Sequence, residues 1–435
     1  MLKLPFQLNI FMSIEKQIKN LIKNYFKSQQ IVTFAKRKYK IPLSVPSFDW
    51  EEVVEAVDSL LSTYLTMGEK VRRFEELFAK YIGSKETVMV NSGSSANLIA
   101  LNILSNPVLG NNAIKPGDEV IVPAVTWSTS IFPIINVGAI PVLVDINLET
   151  FSIKEEEIEK AVTSKTRAIM PVHLLGFPCD MGKIMSIANK YKLYIVEDAC
   201  EAHGAEWNGK KVGTFGDMGT FSFFFSHHIT TIEGGMIITD NEEYAELARV
   251  LRAHGWVRDL KQKDQIVRKY SEIDPRFLFI NMGFNVRPTE IQGAFGIHQM
   301  KKLEAFIKIR RENSKYWKEE LSKYSDYFII HDEKKGTRAV WFGYPLTVKP
   351  IAPFKRKELT DYLESKGIET RPLVAGNMDE QPAMKLFRYR KISNLPNSRL
   401  IMRNSFFIGN HHGIGEEERE YFINVIKSFI KEKVK

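Results

Sequence analysis

The sequence predicts an α/β protein: a large domain on a mostly parallel central sheet, followed by a smaller C-terminal α+β domain. Three observations point to it. Between about residues 85 and 240, short apolar runs alternate with amphipathic stretches. Those runs end in polar or glycine-rich punctuation rather than in tight hairpin turns. Beyond residue 300 the pattern changes to long charged helices with one strand-like run between them. Strand–helix alternation of that length implies a sheet covered on both faces, whose ligands bind at the carboxyl ends of the strands.

Residues 1–44 read as a basic arm: residues 1–40 hold nine Lys or Arg against Glu15 alone, a local charge of +8. Within it, Ile14, Ile18, Leu21, Ile22 and Phe26 recur at helical spacing, as expected of an arm packed on its own protein or on a partner subunit. Residues 45–300 form the large domain. There VMVNSG, EVIVPAV, IPVLVDI, AIMPVHLLG, LYIVEDA and GMIITD read as buried strands, and SSANLIALNIL, EEEIEKAV and MGKIMSIANKY as helices between them. Residues 301–435 form the small domain. QMKKLEAFIKIRRENSKYWKEEL reads as one long helix leading into it, and AVWFGYPLTV, FKRKELTDYLESKG and EEEREYFINVIKSFIKEKV supply a strand and two helices.

Charge and composition remove several function classes. The formal charge is +9, so with +8 in the arm the remaining chain is close to neutral and offers no basic face for nucleic acid. No run of eighteen apolar residues suggests a membrane span, and the N-terminus makes a poor secretory signal. Two cysteines, Cys179 and Cys200, form no disulfide framework and fit a cytoplasmic protein. No metal-ligand spacing stands out.

Several strand ends carry chemistry-bearing residues. NSGSSANL (Asn91–Leu98) joins a strand to a helix through small residues, a junction whose free N–H groups favour a phosphate. EDACE (Glu197–Glu201) closes an apolar strand with a carboxylate, suited either to a protonated ring nitrogen or to capping the next segment. Trp127, in PAVTWSTS, follows another strand and either stacks on a flat ring or fills the core.

In combination with SFFFSHHITTIEGG (Ser222–Gly235), these segments resemble the DegT/StrS family of nucleotide-sugar enzymes, which are fold-type-I pyridoxal-phosphate proteins of the aspartate-aminotransferase fold. The resemblance runs from about Tyr64 to the C-terminus through IKPGDEVIVPAVTW, KAVTSKTRAIMPVHLLG, EDACEAHGA, GTFGDMGTFSF, EGGMIITD and NVRPTEIQGAFG. It implies that Gly93 and Ser94 meet the cofactor phosphate through the backbone, and Ser222 through its hydroxyl. Trp127 would stack on the ring, Asp198 would hold the ring nitrogen and Glu201 would lie near the phenolic side. Asn285 and Arg287 would reach the neighbouring active site across a homodimer interface. Arg258, Arg287 and Arg371 would contact carboxylate or diphosphate, and His254 would join Arg258 in a polar substrate-binding cluster.

The family's aminotransferases carry a cofactor-binding lysine where this chain has His227. Imidazole has no primary amine and cannot hold the cofactor covalently, but with an ordinary pKa near 6.5 it can move a proton. SHHITTIEGG, RAHGWVR, GFNVRP, IETRPLVAGN and FFIGNHHG resemble the family's lysine-less sugar 3-dehydratases. The resemblance implies pyridoxal and pyridoxamine phosphate as cofactor forms, L-glutamate as amino donor, and loss of the C3 hydroxyl from a nucleotide-linked 4-keto-6-deoxyhexose. GDP-4-keto-6-deoxymannose is favoured, in dideoxysugar and O-antigen biosynthesis. The CDP-specific members hold a [2Fe–2S] cluster with cysteines just after the RAHGWVRD segment. LKQKDQIVRKY has none there, so no iron–sulfur cluster is expected. A sugar aminotransferase and an inactive regulator on the same fold are the alternatives. His228 acquires no catalytic claim from the resemblance.

Overall fold

The structure, a computed structural model, describes residues 4–28, 38–261 and 263–434. Parts of the basic arm (1–3 and 29–37, including Gln29 and Gln30) therefore lie outside the described residues. The central sheet has eight strands in the order Glu86–Val90, Gly235–Thr239, Met218–Ser222, Tyr194–Asp198, Thr166–Ile169, Glu119–Pro123, Ile140–Val144 and Arg390–Lys391. Gly235–Thr239 pairs antiparallel with both neighbours; every other pair is parallel. The other seven strands thus point the same way and end at one edge.

These strands form because they are fully covered. Glu119–Pro123 and Ile140–Val144 are buried at every position, as continuous apolar runs in a parallel sheet must be. Helices Gly93–Leu104 and Glu242–Leu251 cover one face, packing Ile99, Leu101, Ala245 and Ala248 against Val88, Val120, Val122 and Val196. Met181–Tyr191 lies on the other, with Ile184 and Ala188 against Ile121 and Ile195.

A second, antiparallel sheet joins Phe328–Ile329, Gly343–Val348, Ser405–Gly409 and Thr370–Pro372. Helices Leu303–Leu321, Arg356–Ser365 and Glu416–Lys433 share its core. Trp317 is fully buried there, 5.0 Å from Tyr344 and 5.5 Å from Phe422 between ring centroids. Truncating such a side chain costs about 3–5 kcal/mol.

Three readings of the sequence need correction. The long helix into the second sheet starts at Leu303; Gln299 instead closes the separate helix Glu290–Gln299. The break at Met300–Lys302 is held by side chains. Gln299 donates to Ser47 O (2.9 Å) and Glu52 (2.7 Å), and Lys302 binds Glu52 at 2.7 Å. AIMPVHLLG is a strand only through Ile169, because His173 and Leu175 turn away to meet the next strand's residues. Arg390–Lys391, not read as a strand, extends the large sheet because Arg390 forks onto Glu119 (3.0 and 2.9 Å).

The arm forms a helix, Leu4–Ser28, on helix Trp50–Ser62 of the same chain. Lys19 reaches Asp58 at 3.3 Å and the Lys23 ammonium sits 4.5 Å from the Trp50 ring centre. No helix among the described residues is long and apolar enough to cross a membrane.

Candidate active site

At the shared strand edge lies a cavity of about 490 Å³. The strands contribute residues at or just past their ends: Ser92–Ser94, Thr126 and Trp127, Val172–Leu174, Asp198 and Glu201, and Ser222 with His227. Phe342, Arg371 and Phe407 close it from the second sheet. Of the candidate site residues, Gly93, Ser94, Trp127, Asp198, Glu201, Ser222, His227 and Arg371 all line this cavity.

The floor is built by close backbone approach. Ser92 caps helix Gly93–Leu104, its hydroxyl accepting from Ser95 N at 3.1 Å, and the Gly93 and Ser94 amides, at the helix start, have no intrahelical acceptors. A Cβ on Gly93 would lie 2.5 Å from Ser222 Cβ, and one on Gly235 would lie 2.2 Å from Ser92 O. Only glycine lets the loop and the strands meet there.

Asp198 is buried at the end of its strand. Its Oδ2 accepts from Asn97 Nδ2 (2.8 Å) and Ser130 Oγ (2.7 Å), and its Oδ1 from Cys200 N (3.1 Å). The carboxylate is thus held on three sides. Asn97 and Ser130 were not singled out from the sequence. Asn97 lies one helical turn beyond Gly93, which puts both on one face. Trp127 is 56 % exposed, so it is no core side chain; its ring borders the cavity. Glu201 accepts from Leu175 N at 2.7 Å, and burial together with the nearby Asp198 charge pushes its carboxyl up to about 7.

His227 lines the cavity, and no lysine among the described residues does. Its Nδ1 is buried and has no hydrogen-bond partner among the described residues. Phe342 packs 5.1 Å from its ring and His203 6.1 Å. The expectation of an ordinary imidazole is corrected here: burial and the Arg310 guanidinium lower the His227 pKa to about 3. The ring is neutral at physiological pH, the form that accepts a proton. His228 points inward, fully covered, with Nε2 3.0 Å from Val340 O. A carbonyl can only accept, so that nitrogen carries the hydrogen.

Four predicted residues lie elsewhere. Arg258, Asn285 and Arg287 line a separate cavity of about 410 Å³ together with Arg72. There Arg287 Nε donates to Asn285 Oδ1 at 3.1 Å, and Arg258 stacks 5.3 Å from the Trp256 ring centre. His254 is exposed in a turn at positive φ (64°), its amide donating to Phe284 O at 2.7 Å. Within one chain these residues do not reach His227's cavity, because loops on either side of Gly255 and Gly283 carry them.

A strand-edge cavity that pairs a glycine-floored anion cradle with a buried carboxylate defines an aminotransferase-type cofactor site on this fold. Residues 46–427 match the DegT/DnrJ/EryC1/StrS aminotransferase family, and the chain belongs to it. It is 42% identical over 400 residues to the GDP-4-keto-6-deoxy-D-mannose 3-dehydratase of Yersinia pseudotuberculosis, covering 90% of this chain and 100% of that protein. Among solved structures it is similar to the Escherichia coli GDP-4-keto-6-deoxy-D-mannose-3-dehydratase with bound hydrated PLP. That pair has a TM-score of 0.83 and 39% identity, covering 89% of this chain and 99% of the other. A structure of GDP-4-keto-6-deoxymannose-3-dehydratase with a trapped PLP-glutamate geminal diamine matches with a TM-score of 0.82 at 39% identity, over 88% and 99% of the two chains.

Proposed function

We propose that this protein is a pyridoxal/pyridoxamine-phosphate-dependent 3-dehydratase that removes the C3 hydroxyl of a nucleotide-linked 4-keto-6-deoxyhexose, with L-glutamate as amino donor. GDP-4-keto-6-deoxymannose is the favoured substrate. The observation that carries this reading is His227: a neutral imidazole lines the cavity of an aminotransferase fold, and no lysine among the described residues shares it.

The residues present fit the cofactor. The Gly93–Ser222 contact leaves a shallow cradle under the free amides of a helix N-terminus, suited to the phosphate. Asp198, fixed by Asn97 and Ser130, offers a buried carboxylate for a protonated ring nitrogen. Trp127 has an open face for the ring, and Glu201 borders the same cavity. When bound, the cofactor in its amino form supplies an amine for the C4 ketone and a sink for electrons.

The chain's own groups do the rest. Asp198 keeps the ring nitrogen protonated, and Ser94 and Ser222 orient the phosphate. His227 Nε2 takes the proton released at carbon and delivers it to the departing C3 oxygen, which leaves as water. Phe342 and Phe407 border the cavity and limit water there. Arg371, exposed at its rim, suits a carboxylate or diphosphate.

The domain division at 45 and 300, a homodimer that places Asn285 and Arg287 at the partner's site, and a cytoplasmic location complete the proposal. The solvent-accessible arginines of the second cavity support the shared site, since they have anion-binding chemistry with no cofactor cradle of their own.

The test is stepwise. Incubation with pyridoxal phosphate and glutamate should yield 2-oxoglutarate. Adding GDP-, CDP- or dTDP-linked 4-keto-6-deoxyhexoses should then release ammonia and a 3-deoxy-4-keto sugar, fastest with the GDP form. A stable aminosugar as product would establish an aminotransferase instead; no turnover of glutamate would favour the inactive regulator.

A further inference from the structure

Behind His227, away from the cavity, lies a cationic and imidazole-rich interior that the proposed reaction does not itself use. Arg310, on helix Leu303–Leu321, is buried. Its Nη1 donates to Phe342 O (2.7 Å) and to Asn410 O, and lies 3.4 Å from Trp341 O. All three acceptors are backbone carbonyls, and no carboxylate among the described residues pairs with it. A buried arginine without a counter-ion costs free energy. Buried nitrogens here without hydrogen-bond partners among the described residues include Arg310 Nε, His227 Nδ1 and His228 Nδ1. Leaving such groups unpaired costs free energy.

Segment Val340–Phe342 ties these groups together. The Phe342 ring packs 5.1 Å from His227 and 6.1 Å from His228, while its carbonyl holds Arg310. Val340 O holds His228. His203 fits beneath, 6.1 Å from His227 and 5.4 Å from His228 between ring centroids.

We propose that Arg310 is a positioning residue for His227: its fixed, uncompensated charge adds to the ring's burial and drives back out any proton that Nε2 accepts. This deepens the proposed function and rests on His227 as the proton carrier. In that reaction the proton passes from carbon to Nε2, and the C–H electron pair moves into the carbon framework. The C3–O pair leaves on oxygen, and the proton on Nε2 completes that oxygen as water. A carrier of this kind must accept and then surrender the same proton. A cation behind the ring opposes retention, since two like charges in a poorly solvated interior repel strongly.

The flanking groups make the return one-way. His203 and His228 are buried beside the same cation and stay uncharged, with pKa values well below the ordinary imidazole range, so neither competes for the proton. Burial lowers the Arg310 pKa only to about 9, which leaves it charged at neutral pH. The remaining titratable and charged groups about His227 line the cavity: His173, Asp198, Cys200, Glu201, Glu233 and Arg371. The proton's exit is therefore toward the cavity.

The experiment is a histidine 13Cε1 NMR titration of the full-length protein, with and without pyridoxamine phosphate, the His227 signal being assigned by His227→Asn. In the parent, His227 should remain neutral down to about pH 5 or below. Arg310→Gln should raise its proton affinity at least about tenfold, a shift of roughly one pH unit or more, and move the acid limb of the dehydration pH profile the same way. Arg310→Lys should restore the parent behaviour. An unchanged His227 titration in Arg310→Gln overturns the proposal, as does a Lys variant that behaves like Gln. Arg310→Gln also removes hydrogen bonds to three carbonyls, so the parent titration serves as an independent arm: protonation of its His227 near pH 6.5, the ordinary imidazole value, overturns the proposal even if the variant fails to fold. The titration needs no turnover. A lowered His227 titration without ammonia release would sink the dehydratase reading alone.

Discussion

Two cavities of this chain are built on different principles. The one holding His227 is made from the ends of buried parallel strands, so its Asp198, Ser222 and Gly93 are placed by the core itself. The one holding Arg258, Asn285 and Arg287 is made from loops, with solvent-accessible cations in place of buried acids. On the proposed function the contrast would locate precision where chemistry demands it: proton movement needs geometry that strand ends supply, whereas diphosphate recognition would need only long forked side chains.

The largest expected effect breaks the first cavity. His227→Asn should lower ammonia release by about 10²- to 10⁴-fold, the usual contribution of a positioned acid–base group, with unchanged circular dichroism. A loss below about tenfold would remove His227 from the chemistry. Asp198→Asn should come next, lowering cofactor affinity about 10- to 100-fold, as loss of a charge-assisted hydrogen bond does. Equilibrium dialysis against pyridoxamine phosphate checks it.

The second cavity should respond differently. Arg258→Ala and Arg287→Ala should each raise the KM for the nucleotide sugar about tenfold and leave kcat nearly unchanged. If the two cavities combine across a dimer, mixing equal amounts of His227→Asn and Arg287→Ala subunits, assayed with substrate well below KM where Arg287→Ala alone runs at about a tenth of the parent rate, should recover about a quarter of parent activity through hybrid dimers. No recovery after verified subunit exchange would leave the second cavity without a role in the partner's site.

The smallest effect concerns stability. His203, His227, His228, His331 and His412 are all depressed below the ordinary imidazole pKa, and burial is the largest cause in each. Their neutral forms favour the fold equally at all pH values above about 6.5, where the unfolded chain is neutral too. Below that, the unfolded chain takes up protons that the fold refuses, so stability should fall as pH drops from about 6.5 toward 4. Thermal melts across that range check it; a flat Tm would contradict the depressed values, and His331→Gln should flatten the slope slightly.

Much of the first cavity was legible because its signals are local. An apolar run followed by Gly, Ser, Asp or Trp names a strand and the groups its end presents; taken alone it left capping and core alternatives for Asp198 and Trp127, and it was the combination with SFFFSHHITTIEGG, resembling the DegT/StrS family, that assigned Gly93, Trp127, Asp198 and Ser222. Arg310 could not. In IKIRRENSKYW it reads as one of several charges on an amphipathic helix, and it is buried only because the carbonyls of Phe342 and Asn410, distant in sequence, converge on it. The depressed pKa of His227 was hidden for the same reason. The reversed direction of Gly235–Thr239 and the break at Met300–Lys302 were likewise invisible, since strand direction and helix termination there depend on Ser92, Glu52 and Gln299 across the fold.

One measurement tests the central claim, that replacing the lysine with histidine sets the outcome. His227→Lys, loaded with pyridoxal phosphate, is assayed for cofactor retention on gel filtration and for ammonia release from a GDP-linked 4-keto-6-deoxyhexose. The expected result is cofactor that stays covalently attached, absorbs in the visible, and supports little deoxygenation. A His227→Lys variant that releases ammonia at the parent rate would contradict the role assigned to His227.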